Sequence, residues 1–230
     1  MNTRWIVRGD GSAGWEHGLP PGIEPAQWPR HATNGLPLVH GFTIRVPEDL
    51  RVRGNDRVAL SYFHPGESES YGPRPPLGGR IRAIMEGGPL EAAEGDDPFF
   101  RALVDHVRAD KARTQLFTDL LGHTHAIIWH TEAELNGTRC PRPSEKLPDG
   151  HEPQTMHLHE PVRDEAGLAF SDGEPKRTLI QLGGPLHWVQ AEVEGFGEKV
   201  MEIEDDVGRA NYGSGNCQID LENGLLDWAC

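Results

Sequence analysis

Residues Gln181 to Gly208 read QLGGPLHWVQAEVEGFGEKVMEIEDDVG and combine alternating hydrophobicity with many carboxylates. Alternation of apolar and acidic residues at period two is typical of a strand with one buried face. Two such runs, around Val193 and around Ile203, are separated by a short connection that contains two glycines. The pattern predicts an antiparallel hairpin whose apolar face lies on a core and whose acids share the opposite face.

The acidic face of this predicted hairpin is unusual. Between Ala191 and Asp206 one base, Lys199, stands among the acids Glu192, Glu194, Glu198, Glu202, Glu204, Asp205 and Asp206. Like charges across a strand pair oppose folding, by roughly 1 kcal/mol for each pair in water. The face is either a solvated surface that water and salt screen, or a surface that binds a cation. For a basic protein partner, we expect the contacts at Glu192, Glu194, Glu202, Glu204, Asp205 and Asp206.

Net charge limits the classes of partner. The chain has 230 residues, a formal net charge of −14 at pH 7 and an isoelectric point near 5.2. Binding of nucleic acid or of an anionic membrane surface needs an excess of Lys and Arg, so the charge argues against both. The same charge accelerates encounter with a basic protein.

Composition also bears on compartment and fold. No apolar run reaches the ~20 residues that span a bilayer, and Met1–Asp10 lacks the apolar core of a secretory signal, so a cytoplasmic protein is expected. The three cysteines, Cys140, Cys217 and Cys230, predict neither a disulfide framework nor a Cys-x-x-Cys metal site. The 28 glycines and 19 prolines favour short strands and turns over a helical bundle.

Hydrophobic patterning predicts the remaining elements. Strands are expected at 38–46, 57–63, 80–85 and 123–130. A loop rich in Pro and Gly is expected at 65–79, and a similar loop with an occasional strand is expected at 136–178. Asp97 followed by Pro98 is a helix-start signal, and the apolar spacing after it predicts one or two helices between 98 and 121. The apolar residues 225–230 should dock as a closing strand or turn.

Two pairs of histidines have the spacing of alternate strand residues: His123 with His125, and His157 with His159. Two such pairs brought together could hold a zinc ion, with a carboxylate or water completing the site. Because the sequence does not bring the pairs together, ordinary surface or half-buried histidines are the competing interpretation. No metal and no cofactor is therefore assigned.

The remaining motifs supply no catalytic residue. His130, Glu132 and Cys140 resemble half of a zinc deaminase signature, but the Pro-Cys-x-x-Cys half is missing. Ser214 lacks the Gly-x-Ser-x-Gly spacing of a nucleophile elbow. Asp205 and Asp206 lack the ligand spacing of a calcium loop.

Glycine- and proline-containing segments near both ends of the chain carry a family resemblance. They are Gly18-Leu-Pro-Pro-Gly, Gln27-Trp-Pro, Gly35-Leu-Pro-Leu and Leu182-Gly-Gly-Pro-Leu-His-Trp-Val-Gln. The segments resemble the Gly-x-Pro turn, the Trp-Pro step and the Gly-Gly-x-Pro…Gln element of the YwqG-like family of bacterial proteins of unknown function. The middle of the chain, 65–175, matches that family poorly.

The resemblance implies an α+β fold that is mostly antiparallel β-sheet with a few helices, and the patterning above places one or two helices around 98–121. It implies a single YwqG-like domain over 1–230 with a weak internal duplication, the alternative being halves at 1–122 and 123–230. The shared motifs consist of turn and packing residues, so they imply a fold and no reaction.

Three functions stay open from the sequence. The first is a non-catalytic acidic binding protein, such as an immunity protein that neutralises a basic, nuclease-type secreted bacterial toxin by direct binding. The second is a metal-dependent enzyme that uses the histidine pairs. The third is a structural or regulatory module with an unknown ligand. The net charge, the clustered acids and the lack of a catalytic set favour the first.

Overall fold

The computed structural model describes residues 2–66, 77–92, 94–144, 146–150 and 163–230, which form an antiparallel sheet with three α-helices. The strands are β1 (Arg4–Arg8), β2 (Gly14–Glu16), β3 (Val39–Arg45), β4 (Ala59–His64), β5 (Thr114–Thr118), β6 (Thr124–His130), β7 (Ala166–Ser171), β8 (Ile180–Leu182), β9 (Val200–Glu204), β10 (Asn216–Asp220) and β11 (Leu226–Ala229). The helices are α1 (Leu77–Met85), α2 (Pro98–Arg108) and α3 (Glu132–Leu135). The predicted α+β class is confirmed.

All eleven strands belong to one sheet, in the order β11-β10-β9-β8-β1-β7-β2-β3-β4-β6-β5. Strand β7 lies between β1 and β2, so the two ends of the chain are interleaved in the sheet. The sheet bends until its two ends meet through side chains. Gln115 Nε2 of β5 donates to Leu221 O at 2.9 Å, and Trp228 Nε1 of β11 donates to Asp119 Oδ2 at 2.9 Å.

The main core lies on one face of this sheet because alternate strand residues point to the same side. Its largest members include Phe42, Leu60, Tyr62, Ile127, Trp129, Met201 and Ile203. On the other face, Trp28 and Phe63 pack edge to face at 5.5 Å within a smaller cluster. A third cluster joins α1 to α2.

Helix α2 begins as the sequence predicts. The Asp97 side chain accepts a hydrogen bond from Phe99 N at 2.8 Å, and Pro98 occupies the first turn. Leu103 and the two phenylalanines at its start are buried against α1. The cap and the apolar spacing therefore specify this helix locally.

Two predicted elements are wrong. Residues 80–85 form part of helix α1 rather than a strand, because Leu77, Ile81 and Ile84 follow helical spacing and pack against α2. The predicted helical continuation to residue 121 does not form: residues 114–118 are strand β5, and 120–121 lie in the turn after it. In β5, Phe117 is buried, while Leu116 between two buried residues is exposed. Short apolar runs of this kind fit both the spacing of a helix and the alternation of a strand.

The predicted acidic hairpin is also wrong. Strand β9 forms from its second run, but residues 191–198 lie in no strand. Instead, β9 pairs with β8 on one side and with β10 on the other. Strand β8 lies at the start of the quoted segment and β10 lies beyond its end, so β9 is an interior strand. The run around Val193 belongs to the long connection between β8 and β9.

The other predicted strands are confirmed as β3, β4 and β6, and the C-terminal segment docks on β10 as β11. The three cysteines are free. Most of the predicted loop 65–79 and residues 151–162 of the predicted loop 136–178 lie outside the described residues. Strand β7 lies within the range 136–178. In the described part of the chain, no helix has the length and apolarity needed to cross a membrane.

A chain of buried polar side chains crosses strands β3, β4 and β6. His40 Nε2 is hydrogen-bonded to Thr43 Oγ1 at 3.0 Å, Thr43 Oγ1 to Ser61 Oγ at 2.7 Å, and Ser61 Oγ to His130 Nε2 at 2.7 Å. At its start, the carbonyl oxygen of Gly18 accepts from His40 Nδ1 at 3.3 Å. Because a carbonyl oxygen only accepts, His40 Nδ1 carries the proton, and Nε2 of the neutral ring accepts from Thr43 Oγ1. Thr43 Oγ1 then accepts from Ser61 Oγ, and Ser61 Oγ accepts from His130 Nε2. The neutral His130 ring therefore carries no proton on Nδ1.

Burial keeps several histidines neutral. It lowers the pKa of His40, of His64 and of His130 from 6.5 to about 3. The unfolded chain therefore takes up protons near pH 6.5 that the folded chain does not. The stability that these neutral rings supply is complete above pH 6.5 and declines as the pH falls towards 3.

We predict that the free energy of unfolding decreases on acidification from pH 6.5, by about 1.4 kcal/mol per pH unit for each buried histidine. Urea denaturation at several pH values measures this slope. His130→Gln should reduce the slope, whereas the control His187→Gln, at an exposed position, should not. A slope that is the same in all three proteins would contradict the prediction.

Candidate functional site

The β8–β9 loop, residues 183–199, contains Glu192 and Glu194 of the predicted contact set. Polar side chains of β9 and β10 hold its backbone. His187 N donates to Glu202 Oε2 at 2.6 Å, while His187 O accepts from Asn216 Nδ2 at 2.8 Å and from Gln218 Nε2 at 3.0 Å. These bonds fix the N-terminal part of the loop on the sheet.

The C-terminal part of the loop is also fixed by a hydrogen bond to the sheet. Gly197 N donates to Asp220 Oδ2 at 2.6 Å. Trp188 and Phe196 join the N-terminal and C-terminal parts of the loop through an edge-to-face contact with ring centroids 5.2 Å apart. A loop held at these points loses little conformational entropy when a partner binds, so it can present a fixed surface.

The middle of the loop presents acids beside apolar side chains. Glu192 and Glu194 are exposed, and in the described residues no basic side chain forms an ion pair with either. Val189 is 42% exposed and Val193 is 37% exposed. An apolar centre rimmed by charge is the usual anatomy of a protein-binding surface.

The other four predicted contact residues lie in different environments. Glu202 is buried beneath the loop, and burial raises its pKa. Glu204 is half-buried, and burial likewise raises its pKa. The Asp205 carboxylate accepts from Tyr212 N at 2.5 Å and from Ser214 N at 3.0 Å, so it supports the following loop. Only Asp206 of these four is exposed.

The six residues therefore do not share one face, which corrects the expectation drawn from the hairpin. Glu202 faces inward because the β8–β9 loop folds over strand β9. The contact role of the exposed acids stays a prediction.

The anchoring side chains of β10 were missed. Asn216, Gln218 and Asp220 occupy alternate positions on one face of that strand, and all three are buried. The alternation Asn-Cys-Gln-Ile-Asp predicts a strand with one polar face. Because the same pattern is typical of a solvent-exposed face, the sequence contains no signal that the β8–β9 loop covers it.

Of the predicted histidine pairs, only the first is described. His123 Nδ1 lies 3.4 Å and His125 Nε2 lies 3.6 Å from Asp119 Oδ2. His157 and His159 lie outside the described residues. Across the described ranges, no group of three or more His, Cys, Asp or Glu side chains is arranged to hold a metal ion. The zinc hypothesis therefore has no further support.

Asp119 is fixed from several sides. Its Oδ1 accepts from Leu121 N at 2.9 Å and from His123 N at 2.7 Å. Burial raises the pKa of Asp119, but the nearby His125 ring and hydrogen bonds from Trp228 and the His123 backbone outweigh burial and lower it. This carboxylate stays ionised at neutral pH.

Comparison of the chain with protein-family models, with curated proteins and with solved structures finds no match. The resemblance to the YwqG-like family stays a prediction that rests on the quoted segments.

We predict that Glu202→Ala loosens the β8–β9 loop, because His187 N would lose its buried acceptor. The lost bond corresponds to roughly 1–3 kcal/mol, so amide hydrogen exchange across the loop should accelerate by about tenfold to hundredfold. Glu192→Ala removes an exposed carboxylate and serves as the control, with exchange unchanged. Equal exchange in both variants would show that Glu202 does not anchor the loop.

Proposed function

We propose that the protein is a non-catalytic binding protein that neutralises a basic, nuclease-type secreted bacterial toxin by direct contact, as an immunity protein does. The observation that carries the proposal is the β8–β9 loop, where Glu192 and Glu194 stand beside exposed Val189 and Val193. The net charge of −14 adds a long-range attraction for a basic partner.

The proposed interface divides the predicted acids into two roles. Glu192 and Glu194 contact the partner directly, and Asp206 contributes an exposed negative charge on the following loop. Glu202 and Asp205 act indirectly, because their carboxylates hold the backbone of the two loops. Glu204, half-buried on β9, adds to the negative potential beneath the loop.

Binding energy and association rate come from different parts of this surface. Long-range attraction between opposite charges raises the association rate and is weakened by salt. The two valines supply apolar area that becomes desolvated in the complex, which slows dissociation. A nuclease must present a basic surface to nucleic acid, so an acidic loop that covers this surface blocks its substrate.

The compartment follows from this role. A nuclease toxin acts on nucleic acid in the cytoplasm, and we place the protein there. A YwqG-like domain would be compatible with the proposal, since the motifs of that family imply no reaction.

The test is direct binding to the product of the neighbouring gene, measured as association rate at several salt concentrations. The double variant Glu192→Lys, Glu194→Lys should associate at least about tenfold more slowly at low salt and lose most of the salt dependence. The fold should be unaffected, because both side chains are exposed.

The matched control is Asp172→Lys, Glu174→Lys, which makes the same change of charge in the β7–β8 turn at the opposite end of β8. This variant should keep an association rate close to that of the wild type. The proposal fails if no complex forms. The assignment to the loop fails if the control slows association equally.

A further inference from the structure

A cleft of about 1040 Å³ opens where β1, β4 and β6 approach the loop between β9 and β10. Its volume is at the upper end of the range for small-molecule sites. Four histidines and three arginines line it, against two carboxylates. This concentration of basic side chains is unexpected in a chain with a net charge of −14.

Arg8 is held in the cleft wall by a buried carboxylate. Its Nε donates to Glu16 Oε1 at 2.6 Å, and the Glu16 side chain is fully buried. The terminal nitrogens Nη1 and Nη2 have no hydrogen-bond partner among the described residues, and the Arg8 side chain is 60% exposed. A guanidinium fixed along one edge keeps its fork available for a carboxylate or phosphate.

Two more arginines act on the same part of the cleft. Burial lowers the pKa of His17, and the positive charges of Arg163, Arg209 and Arg8 lower it further, against the opposing charge of Glu16. All three arginines line the cleft together with His17. Walls of low dielectric around such a group of charges focus its field on a ligand of opposite sign.

The backbone of the cleft wall is strained. Four non-glycine residues in the described chain have a left-handed backbone, and three of them line the cleft: His17 (φ 63°), Asp206 (φ 68°) and Arg209 (φ 70°). Such residues are energetically unfavourable and concentrate at ligand sites, where the surrounding structure enforces them.

Hydrogen bonds from two sides enforce this conformation. Gly208 N donates to Glu16 Oε2 at 3.3 Å, and Gly208 O accepts from His64 Nε2 at 3.1 Å. A Cβ added at Gly208 would lie 2.5 Å from the backbone of Gly41 on β3. Glu16 thus orients both Arg8 and the loop that carries Arg209.

A polar group at the other end of the cleft lacks a partner. His125 Nδ1 is hydrogen-bonded to Tyr62 Oη at 2.7 Å, but the buried Nε2 makes no hydrogen bond. Its distance of 3.6 Å from Asp119 Oδ2 exceeds a hydrogen bond. The buried ring is therefore fixed at one nitrogen and can bind a ligand with the other.

We propose that this cleft binds a small molecule that carries a carboxylate or phosphate group. Arg8 and Arg163 hold the anionic group, Arg209 adds positive charge to the cleft wall, and a polar group elsewhere on the ligand reaches His125 Nε2. Glu16 is a positioning residue in this site. The proposal does not rest on the toxin-binding surface, because Glu192 and Glu194, its direct contacts, lie outside the cleft; Asp206 belongs to both.

Calorimetric titration of the full chain with inorganic phosphate, with succinate and with uncharged succinamide tests the site. We expect at least one of the two anions to saturate a single site and succinamide to show no binding. Arg8→Gln should reduce the affinity for the anion by roughly tenfold to hundredfold, because a charge-assisted hydrogen bond is lost. Arg4→Gln removes the same charge from the same strand outside the cleft and should leave the affinity unchanged.

The two anions distinguish the source of the negative group. Saturation by phosphate alone identifies a phosphate-bearing ligand, saturation by succinate alone a carboxylate, and saturation by both a site that accepts either. The proposal is overturned if neither anion saturates, if succinamide binds like succinate, or if both arginine variants behave alike. Glu192→Lys, Glu194→Lys should keep the anion affinity, which separates this site from the proposed interface.

Discussion

The carboxylate of Asp119 connects the two ends of the sheet, and much of the structure depends on this connection. One oxygen closes the turn between β5 and β6, and the other accepts the indole N–H of Trp228 on β11. An open sheet of this length would leave both edge strands exposed. With the ends joined, the core face is enclosed and the cleft forms beside the junction.

Buried polar side chains on both faces of the sheet are organised into chains rather than left single. Tyr62 Oη is hydrogen-bonded at 2.7 Å to both Tyr212 Oη and His125 Nδ1, and on the other face His40, Thr43, Ser61 and His130 form a similar series. An unpaired polar group is costly in such surroundings, and paired groups strengthen each other. These chains tie β3, β4 and β6 into one register.

The elements that could be predicted from the sequence are those with strong local signals. The cap at Asp97 was sufficient to predict helix α2, and the apolar runs of β3, β4 and β6 were sufficient to predict these strands and their approximate positions. Residues 80–85 and 116–121 were not, because their apolar spacing fits two periods and packing against α2 or β6 decides between them. The acidic hairpin failed for a related reason, since the partners of β9 come from β8 and β10.

The sites depend still more on tertiary structure. The sequence identified Glu192 and Glu194 as acids near the surface, but the burial of Glu202 results from a loop that folds over it. Behind the cleft wall, Glu16 and Gly208 are separated by 192 residues, and they meet where Gly208 packs against Gly41 on β3, the strand next to β2. No short motif records such a contact, so neither Arg8 nor Glu16 stands out in the sequence.

The close approach of Gly208 to Gly41 has a consequence for sequence drift. With φ at 61° and the opposing backbone 2.5 Å from where a Cβ would stand, position 208 has room for hydrogen alone. Any larger residue would act as a wedge between β3 and the segment that carries Arg209. The shape of the cleft is thus protected by a residue that contributes no functional group, and substitution there would disturb a ligand site without removing any of its charges.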